Sequence, residues 1–403
     1  MLDRRNFLHM TALGSAAMQS TAAVAQVGRA APKKSDKKIR LAVVGGGFGA
    51  SFQFHEHPQC VVTAATDLYA ARRNRLRTAY RCDSVYESME DMLKKRNDID
   101  AVAVFSGAPD HAKHVEACFE RGLHVLSAVP ACMTIEEAHR LKELKEKTGL
   151  KYMMAESSYY RSGCIYARNL FRQGGFGKVF YSEVEYYHDG NIEEWLTNKK
   201  SLYHNPDGSM SWRAGIPPML YPTHSLGYVT GVTGERIESV SALGWGIASL
   251  MAKPGANRYN NPFSNEFASM RTDKGNMVRC NVFWTVAAGE ERAQWFGEKG
   301  SFYMSKDGFH PNTWHERYGK PKPIELPAYW KSDMLPEPMR HDSGHGGSAA
   351  FISAEFINAL LENREPEVDL YESLAMTVPG IIAHQSALKN GEQMKVPRFE
   401  KRA

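Results

Sequence analysis

The chain has 403 residues, of which 43% are hydrophobic and 24% charged, and its formal net charge is +5 at pH 7. This composition is typical of a soluble globular protein, and the length indicates more than one domain. Beyond the N-terminal segment the charges form no basic face, which argues against nucleic-acid binding, and six scattered cysteines without a C-x-x-C pair indicate neither a zinc site nor a disulfide framework.

The N-terminal segment has the pattern of an export signal. Arg4 and Arg5 precede a weakly apolar, alanine-rich stretch, and residues 23–25 (Ala-Val-Ala) offer a cleavage site. We predict a twin-arginine signal peptide over residues 1–25 and a linker over residues 26–38, and therefore a periplasmic or secreted location. The alternative is a cytoplasmic protein with a disordered basic tail. No later stretch is long and apolar enough to predict a membrane span.

An apolar run over residues 39–44 ends in a glycine-rich loop. Gly45 permits a tight turn, and Gly47 lets the backbone approach a phosphate. Asp67 ends a second apolar run and is placed to accept hydrogen bonds from a ribose, which favours NAD over NADP. We predict a dinucleotide site, with the pyrophosphate at the N-terminus of a helix after the loop; the alternative is a vestigial loop. The predicted cofactor contacts here are Gly45, Gly47, Phe48, Gly49 and Asp67.

Strand and helix patterns alternate over residues 39–158, which we assign to one domain. Strand patterns cover residues 100–105, 123–127 and 151–155, and helical patterns cover residues 111–121 and 134–149. This alternation predicts an α/β fold with a doubly wound parallel sheet of the Rossmann type. The loops after two of the strands lie at the carboxyl edge of that sheet, where ligands bind. These loops span residues 106–111 and 128–130.

Residues 159–403 have a different pattern, which predicts a second α/β domain. Several alternating strands predict a large, mostly antiparallel sheet with one open face, and such a face suits a homodimer or homotetramer. We expect a long loop over residues 306–345 and two helices that return towards the first domain. The predicted strands are residues 178–186, 237–243, 267–272, 276–284 and 293–296, and the predicted helices are residues 351–361 and 370–389.

The glycine loop, the strand and turn ending at His111, and the strand followed by Val129-Pro130 resemble the glucose–fructose oxidoreductase and inositol dehydrogenase (Gfo/Idh/MocA) family. The resemblance covers the mature chain and implies a Rossmann domain joined to a domain with a large open sheet. Dehydrogenases of that family usually carry Glu-Lys-Pro at the turn and Asp-x-Gly-x-His on a helix. Here Val129 stands at the lysine position and Leu220 at the aspartate position, whereas His224 matches the histidine. The usual proton relay of those dehydrogenases is therefore incomplete.

The pattern is more similar to one branch of that family, the NAD-dependent glycosidases of glycoside hydrolase family 109. The twin-arginine leader and the Val-Pro turn are shared with that branch. Three features depart from it, since Ala108 replaces a tryptophan, Ser157 replaces an asparagine, and a substrate-side tyrosine usual around residue 290 has no clear match. The shared motifs are Tyr-Tyr-His-Asp at residues 186–189, Trp-Arg at 212–213, Tyr-Pro-Thr-His at 221–224 and His-Gly-Gly at 345–347.

The resemblance implies a tightly bound NAD that takes a hydride from carbon 3 of a sugar, permits elimination of the leaving group, and returns the hydride after water adds. This route needs groups that move protons at carbons 2 and 3 rather than a flanking pair of carboxylates. On that basis the candidate catalytic and substrate residues are Tyr221, His224, Tyr186 and His188, with Arg213 as a substrate contact. The further candidate cofactor contacts are Pro109, His111, Ala128, Val129 and Ser157.

Two other functions are compatible with the sequence. A conventional NAD(P)-dependent sugar or polyol dehydrogenase would release NADH with each substrate oxidised, and a non-catalytic sugar sensor would bind NAD without turnover. The retained Tyr221 and His224 argue against the sensor. His55-Glu56-His57 lacks the spacing of an H-E-x-x-H metal motif, and His341 and His345 have only Asp342 near them in the sequence, so no metal is expected.

Overall fold

The computed structural model of the protein describes residues 37–191, 197–201, 203–246, 257–305 and 310–401. The predicted signal peptide, and the linker up to residue 36, lie outside the described residues. Within the described part, no helix has both the length and the apolarity that a membrane crossing requires.

The first sheet has six parallel strands in the order β3-β2-β1-β4-β5-β6. All four residues of β4 and all three of β6 are buried, because helices cover both faces of a parallel sheet. The prediction of a Rossmann-type sheet is confirmed. The strands are Ile39–Val44 (β1), Cys60–Thr66 (β2), Val85–Tyr86 (β3), Ala101–Val104 (β4), His124–Ser127 (β5) and Tyr152–Met154 (β6).

The helices of this region begin and end at residues with recognisable caps. Thr134 forms a capping box with Glu137, and Gly149 ends that helix with a left-handed φ of 66°. Ser88 caps a second helix by accepting a hydrogen bond from the Asp91 backbone N–H. The helices are Ala70–Tyr80 (α1), Met89–Lys95 (α2), His111–Glu120 (α3) and Ile135–Thr148 (α4).

The segment after the glycine loop contradicts the prediction of a helix there. It forms two three-residue 3-10 helices, Gly49–Ser51 and Phe54–Glu56, and no α-helix. Phe52 and Phe54 are both buried, and both rings pack on Phe105. Residues two apart point to different sides of an α-helix, so burying both rings against one partner requires an irregular path. A pyrophosphate here would be held by loop N–H groups and not by a helix dipole.

The second sheet has nine strands in the order β14-β13-β12-β11-β7-β10-β9-β8-β15. β7 and β10 run parallel, and the other recorded strand pairs are antiparallel. The strands are Val179–Asp189 (β7), Ile237–Trp245 (β8), Asn265–Thr272 (β9), Met277–Val286 (β10), Glu290–Gly297 (β11), Gly300–Tyr303 (β12), Thr313–Glu316 (β13), Lys322–Pro323 (β14) and Met394–Lys395 (β15).

The predicted long loop over residues 306–345 is wrong in part. β13 and β14 lie within it and extend one edge of the sheet, whereas residues 306–309 lie outside the described residues. β13 forms an antiparallel pair with β12 over residues Gly300–Tyr303. The Trp314 side chain of β13 packs edge-to-face against the Phe176 ring. Backbone pairing and one buried tryptophan therefore order a segment whose proline and glycine content predicted a loop.

Helices cover one face of the second sheet. In β9, Glu266, Ala268 and Met270 are buried while the alternate residues Phe267 and Ser269 are exposed, as in a sheet with one open face. The helices are Ser162–Arg172 (α5), Thr223–Thr233 (α6), Ser348–Leu361 (α7) and Leu370–Leu388 (α8). α6 lies on β7, β10 and β11, and α8 lies on β8. α7 also contacts β1, and α8 also contacts α4 and β6.

Candidate active site

Four of the predicted site residues meet where α6 begins and β7 ends. The imidazole of His224 lies 4.6 Å from the Tyr186 ring and 5.5 Å from the Tyr221 ring, measured between centroids. Tyr186 also contacts His188 at 5.0 Å. Trp284 of β10 closes this aromatic group, with its ring 5.6 Å from that of His188. The sequence therefore predicted residues that the fold brings together from separate elements.

Glu156 is a site residue that the sequence analysis missed. It lies two residues after β6, at the carboxyl edge of the parallel sheet, and is fully buried. Its Oε1 atom accepts hydrogen bonds from the backbone N–H of Ser158 and from Nδ1 of His224, both at 2.8 Å. An acid directly after a buried strand was the available signal, because such positions face the ligand edge.

The Glu156–His224 pair shifts the protonation of both groups. Burial alone would lower the pKa of His224, but the nearby carboxylate raises it above its usual value. Burial alone would raise the pKa of Glu156, but the imidazole lowers it. The pair therefore favours a carboxylate beside an imidazole that binds a proton readily. Because Nδ1 faces Glu156, the other ring nitrogen is left for a ligand.

Tyr186 and His188 form a second pair on the same face of β7. The Tyr186 hydroxyl lies 2.7 Å from Nε2 of His188. Burial raises the pKa of Tyr186 well above its usual value, whereas burial, Arg213 and His224 lower the pKa of His188 to about 4. At neutral pH the phenol is therefore protonated and the imidazole neutral, so the hydroxyl can donate to the ring nitrogen.

Tyr221 and Arg213 form the third part of the site. The guanidinium of Arg213 lies 4.4 Å from the Trp212 ring centroid and 5.9 Å from that of Tyr221. Burial raises the pKa of Tyr221, and the positive charge of Arg213 opposes that rise. Trp212 packs on Gly107, where a Cβ would lie 2.6 Å from its Cδ1 atom. This contact joins the loop after β4 to the segment between β7 and α6.

A half-buried ion pair lies behind these groups. Glu291 of β11 stands opposite Tyr186 in the strand register, and its carboxylate binds Arg161 at 2.8 Å. The Tyr228 hydroxyl donates to the same carboxylate at 2.9 Å. Burial, His224 and Arg161 lower the pKa of a third histidine, His345. Glu291 was not predicted, because its role depends on a partner 130 residues away.

The glycine loop at the end of β1 leaves little room for side chains. Gly45 has a left-handed φ of 99°, and a Cβ there would lie 2.2 Å from the Phe105 carbonyl oxygen. The Gly46 backbone N–H donates to Oδ2 of Asp67 at 2.8 Å, which brings that acid beside the loop. Gly47 is exposed, and the atoms nearest to a Cβ placed on it would be those of the Arg72 side chain, at 3.6 Å. These residues fit the phosphates and ribose of a dinucleotide.

The other predicted cofactor contacts line the same edge. Phe48 is partly exposed above the loop, whereas Gly49 is buried, and a Cβ on it would meet the Phe105 ring. Gly49 therefore serves close packing. Ser157 is buried, with its Oγ atom 3.4 Å from Nδ1 of His224, so it stands between the nucleotide edge and the second sheet. Pro109, Ala128 and Val129 lie on the loops after β4 and β5.

His111 does not have the geometry expected of a nicotinamide contact. Its ring is buried, with Nδ1 2.8 Å from the Pro130 carbonyl oxygen and Nε2 3.0 Å from the Ser106 carbonyl oxygen. Both ring nitrogens thus face carbonyl oxygens of two loops, and the neutral imidazole that burial favours donates its one N–H to one of them. His111 holds the loops after β4 and β5 together, and it acts on the cofactor edge only through them.

We expect His111→Leu to lower the free energy of unfolding by about 1 to 3 kcal/mol, because a buried backbone carbonyl group loses the imidazole N–H that donates to it. Urea denaturation measures the change. The matched control is His55→Leu at an exposed position, which should stay within about 0.5 kcal/mol. An unchanged stability of the His111 variant would contradict the bridging role.

The segment before α7 closes over the glycine loop. His341 pairs with Glu56 at 2.5 Å, and the His345 ring lies 5.2 Å from Phe48 in an edge-to-face contact. Within α7, Ser353 donates to the Phe52 carbonyl oxygen. These contacts tie the second part of the chain to the loop that the sequence assigns to the cofactor. Among the described residues, no cluster of three or more His, Cys, Asp or Glu side chains has the arrangement of a metal site.

Comparison with known families divides the chain in two. Residues 39–156 match the family described as "Oxidoreductase family, NAD-binding Rossmann fold". Residues 285–403 match the family described as "Glycosyl hydrolase 109, C-terminal domain". The two matches fall on the two sheets, so the Rossmann-type region and the open-sheet region each have relatives.

Individual proteins give the same result. A glycosyl hydrolase family 109 protein of Solibacter usitatus is 25% identical over 330 residues, which cover 76% of this chain and 73% of the relative. An alpha-N-acetylgalactosaminidase of Shewanella oneidensis is 24% identical over 342 residues, which cover 77% and 72%. Among solved structures, the WlbA dehydrogenase of Bordetella pertussis, in complex with NADH and UDP-GlcNAcA, is 18% identical and superposes with a TM-score of 0.68 over 91% of this chain and 100% of that chain.

Proposed function

The chain belongs to the Gfo/Idh/MocA oxidoreductase family and ends in a glycosyl hydrolase 109 domain, and we propose that it is an exported NAD-dependent glycoside hydrolase. In this proposal a glycosidic bond is cleaved by transient oxidation at sugar carbon 3, elimination, addition of water and re-reduction. The observation that carries it is the presence of two separate proton-transfer pairs, Glu156–His224 and Tyr186–His188, in one aromatic pocket.

The carboxylates of the site argue against ordinary acid–base glycosidase chemistry. That chemistry needs two carboxyl groups about 5 to 9.5 Å apart on either side of the bond. Here Glu156 is hydrogen-bonded to His224, and Glu291 is held by Arg161 and Tyr228. Both acids support other side chains, so neither is free to act directly on a sugar. When bound, NAD supplies the hydride acceptor for carbon 3 and later returns the hydride.

The first proton step falls to His224. As the carbon 3 hydroxyl becomes a carbonyl, its proton passes to Nε2 of His224, and the Glu156 carboxylate stabilises the imidazolium that forms. The raised pKa of His224 suits this task, because a stronger base takes the hydroxyl proton more readily. The same imidazolium returns the proton when the carbonyl is reduced at the end of the cycle.

The second and third proton steps fall to the tyrosines. The carbonyl at carbon 3 acidifies the hydrogen on carbon 2, and the Tyr186–His188 pair removes it as a proton. The Tyr186 oxygen takes the proton from carbon 2 while the phenol proton passes to Nε2 of His188. The Tyr221 hydroxyl donates a proton to the departing oxygen, helped by the charge of Arg213. Water then adds across carbons 1 and 2, which restores both protons and leaves hydrolysis as the net reaction.

A conventional sugar dehydrogenase is the second candidate. The Glu156–His224 pair alone can accept the proton of an oxidised hydroxyl, and the WlbA structure with the same fold is a dehydrogenase. The Tyr186–His188 pair distinguishes the two functions, because simple oxidation has no step at carbon 2.

Export, retention of NAD and assembly form a further part of the proposal. Arg4 and Arg5 support export of the folded protein by the twin-arginine route. The contacts of His341 and His345 over the glycine loop support an NAD that stays bound through each cycle. The exposed apolar residues of the second sheet, among them Phe180 and Phe267, support a homodimer or homotetramer through that face.

The purified protein is expected to release nitrophenol from a nitrophenyl glycoside without added NAD and to contain NAD in its denatured extract. In deuterated water the released sugar should carry deuterium at carbon 2, as mass spectrometry would show. Tyr186→Phe is the control, which should retain NAD and lose the deuterium exchange. If NADH accumulates in proportion to oxidised sugar and no glycosidic bond is cleaved, the hydrolase proposal is overturned and the dehydrogenase proposal is supported.

A further inference from the structure

Residues 217–222, which we call the Tyr221 turn, read Pro-Pro-Met-Leu-Tyr-Pro and present Tyr221 to the pocket. Pro218–Leu220 form a single turn of 3-10 helix. The three prolines have no backbone N–H. The N–H groups of Leu220 and Tyr221 bind carbonyl oxygens inside the turn, at 3.0 and 2.8 Å. Within residues 217–222, the Met219 N–H is therefore the one backbone donor left to tie the turn to another element.

Glu266 of β9 binds that N–H group. Its Oε2 atom accepts the Met219 N–H at 2.6 Å, and its Oε1 atom lies 2.8 Å from Nδ1 of His384 in α8. The Glu266 side chain is fully buried, and a buried carboxylate is costly unless it is paired and hydrogen-bonded. A hydrogen bond to an ionised acceptor is also stronger than one between neutral groups. The carboxylate therefore holds the Tyr221 turn firmly against β9.

The helix α8 packs on the same turn and connects it to the first sheet. At Gly380 a Cβ would lie 2.1 Å from the Met219 carbonyl oxygen, so only glycine allows this close approach. The Thr377 hydroxyl accepts the Ala131 backbone N–H at 3.3 Å, beside the loop after β5. Thr377, Gly380 and His384 are three and four residues apart and lie on one face of α8. That face therefore sets the position of the Tyr221 turn relative to the loop predicted to contact the cofactor.

We propose that Glu266, paired with His384, is a positioning residue for Tyr221. The inference rests on the proposed function, in which the Tyr221 hydroxyl donates a proton to the departing oxygen. Glu266 acts through the backbone that carries the phenol and not on the sugar itself. Because proton transfer needs the donor within hydrogen-bond reach of the acceptor, a displaced turn slows protonation of the leaving group and leaves the other proton steps in place.

Two leaving groups separate this role from a general loss of folding. Departing methanol needs a proton, whereas nitrophenol is acidic enough to leave as its anion. Glu266→Met removes the acceptor and should lower kcat about 30- to 100-fold for a methyl glycoside, but by less than about threefold for the matched nitrophenyl glycoside. Glu266→Gln keeps a weaker, neutral acceptor and should show the same selective loss at about three- to tenfold. NAD content and deuterium exchange at carbon 2 should stay normal.

Hydrogen exchange followed by mass spectrometry gives a readout that does not depend on turnover. The peptide that contains Met219 should exchange about tenfold or more faster in Glu266→Met than in the wild type, because its N–H loses a buried, charged acceptor. Glu235→Gln removes another buried carboxylate, which binds Thr272 at 2.6 Å, and should change neither this exchange nor the ratio of the two cleavage rates.

Equal loss of both cleavage rates, or unchanged exchange of the Met219 peptide, would overturn the role of Glu266. If Glu266→Met does not fold, Glu266→Gln decides the question by the same two measurements. If the wild type cleaves neither glycoside, the glycosidase proposal fails by itself. Faster exchange in the Glu266 variants then still supports the anchoring of the turn, and unchanged exchange overturns it.

Discussion

Glu156→Gln is expected to lower kcat by roughly 10³-fold while the protein keeps its fold and its NAD. Glutamine has almost the same shape, but its amide carries no charge to stabilise an imidazolium on His224. The amide can also present an N–H group to Nδ1, which would turn the imidazole to the wrong tautomer. Steady-state kinetics on a cleaved glycoside measure the loss, and NAD content is read from the absorbance of the denatured extract.

The pH dependence provides a second readout of the same pair. Because His224 must be neutral to accept a proton and its pKa lies above 6.5, activity of the wild type should rise with pH above that value. In Glu156→Gln the pKa of the imidazole falls, so the acidic limb of the profile should move to lower pH. A profile unchanged in position would show that Glu156 does not act through His224.

The pair also contributes to stability over a defined range of pH. The His224 contribution is present below pH 6.5 and is lost as pH rises through its raised pKa. The Glu156 contribution is present above pH 4.5 and is lost as pH falls through its lowered pKa. The stabilising effect is therefore greatest between those two pH values.

Glu235→Gln is the matched control for removal of a buried carboxylate. Glu235 accepts a hydrogen bond from Thr272 at 2.6 Å and makes no recorded contact with Tyr186, His188, Tyr221 or His224. This variant should keep kcat within about threefold of the wild type. If the Glu156→Gln variant has normal NAD content and keeps a tenth or more of the wild-type kcat, the proposed role of Glu156 is contradicted.

Gly45→Ala is expected to destabilise the protein by about 3 kcal/mol or more and to abolish NAD retention. The φ of 99° is strained for any residue with a Cβ, and that atom would lie 2.2 Å from the Phe105 carbonyl oxygen. Because the obstacle is backbone next to β4, the neighbouring strands β1 and β4 would have to separate. Thermal unfolding and NAD content measure the two effects.

Gly47→Ala separates the cofactor effect from the folding effect. At Gly47 a Cβ would lie no closer than 3.6 Å to the Arg72 guanidinium group, so stability should change by less than about 0.5 kcal/mol. NAD affinity should still fall, because the added methyl group occupies the face where the pyrophosphate approaches. If the Gly47→Ala variant binds NAD with normal affinity, the pyrophosphate does not lie against Gly47 as proposed.

Much of the fold was predictable because its signals are local. The strand patterns over residues 100–105 and 123–127 predicted β4 and β5, and Thr134, Glu137 and Gly149 marked the two ends of α4. The helix after the glycine loop could not be excluded locally. Its absence depends on Phe52 and Phe54 both packing on Phe105, which is distant in the chain.

The sequence by itself determined the Rossmann-type domain, the glycine loop, and the tyrosine and histidine motifs of α6 and β7, since each depends on residues close together in the chain. Only the tertiary structure decided that Glu156 is the partner of His224, 68 residues away, and that His111 bridges two loops. Such pairings are set by how strands and helices pack, and packing brings together side chains whose relation no local pattern encodes.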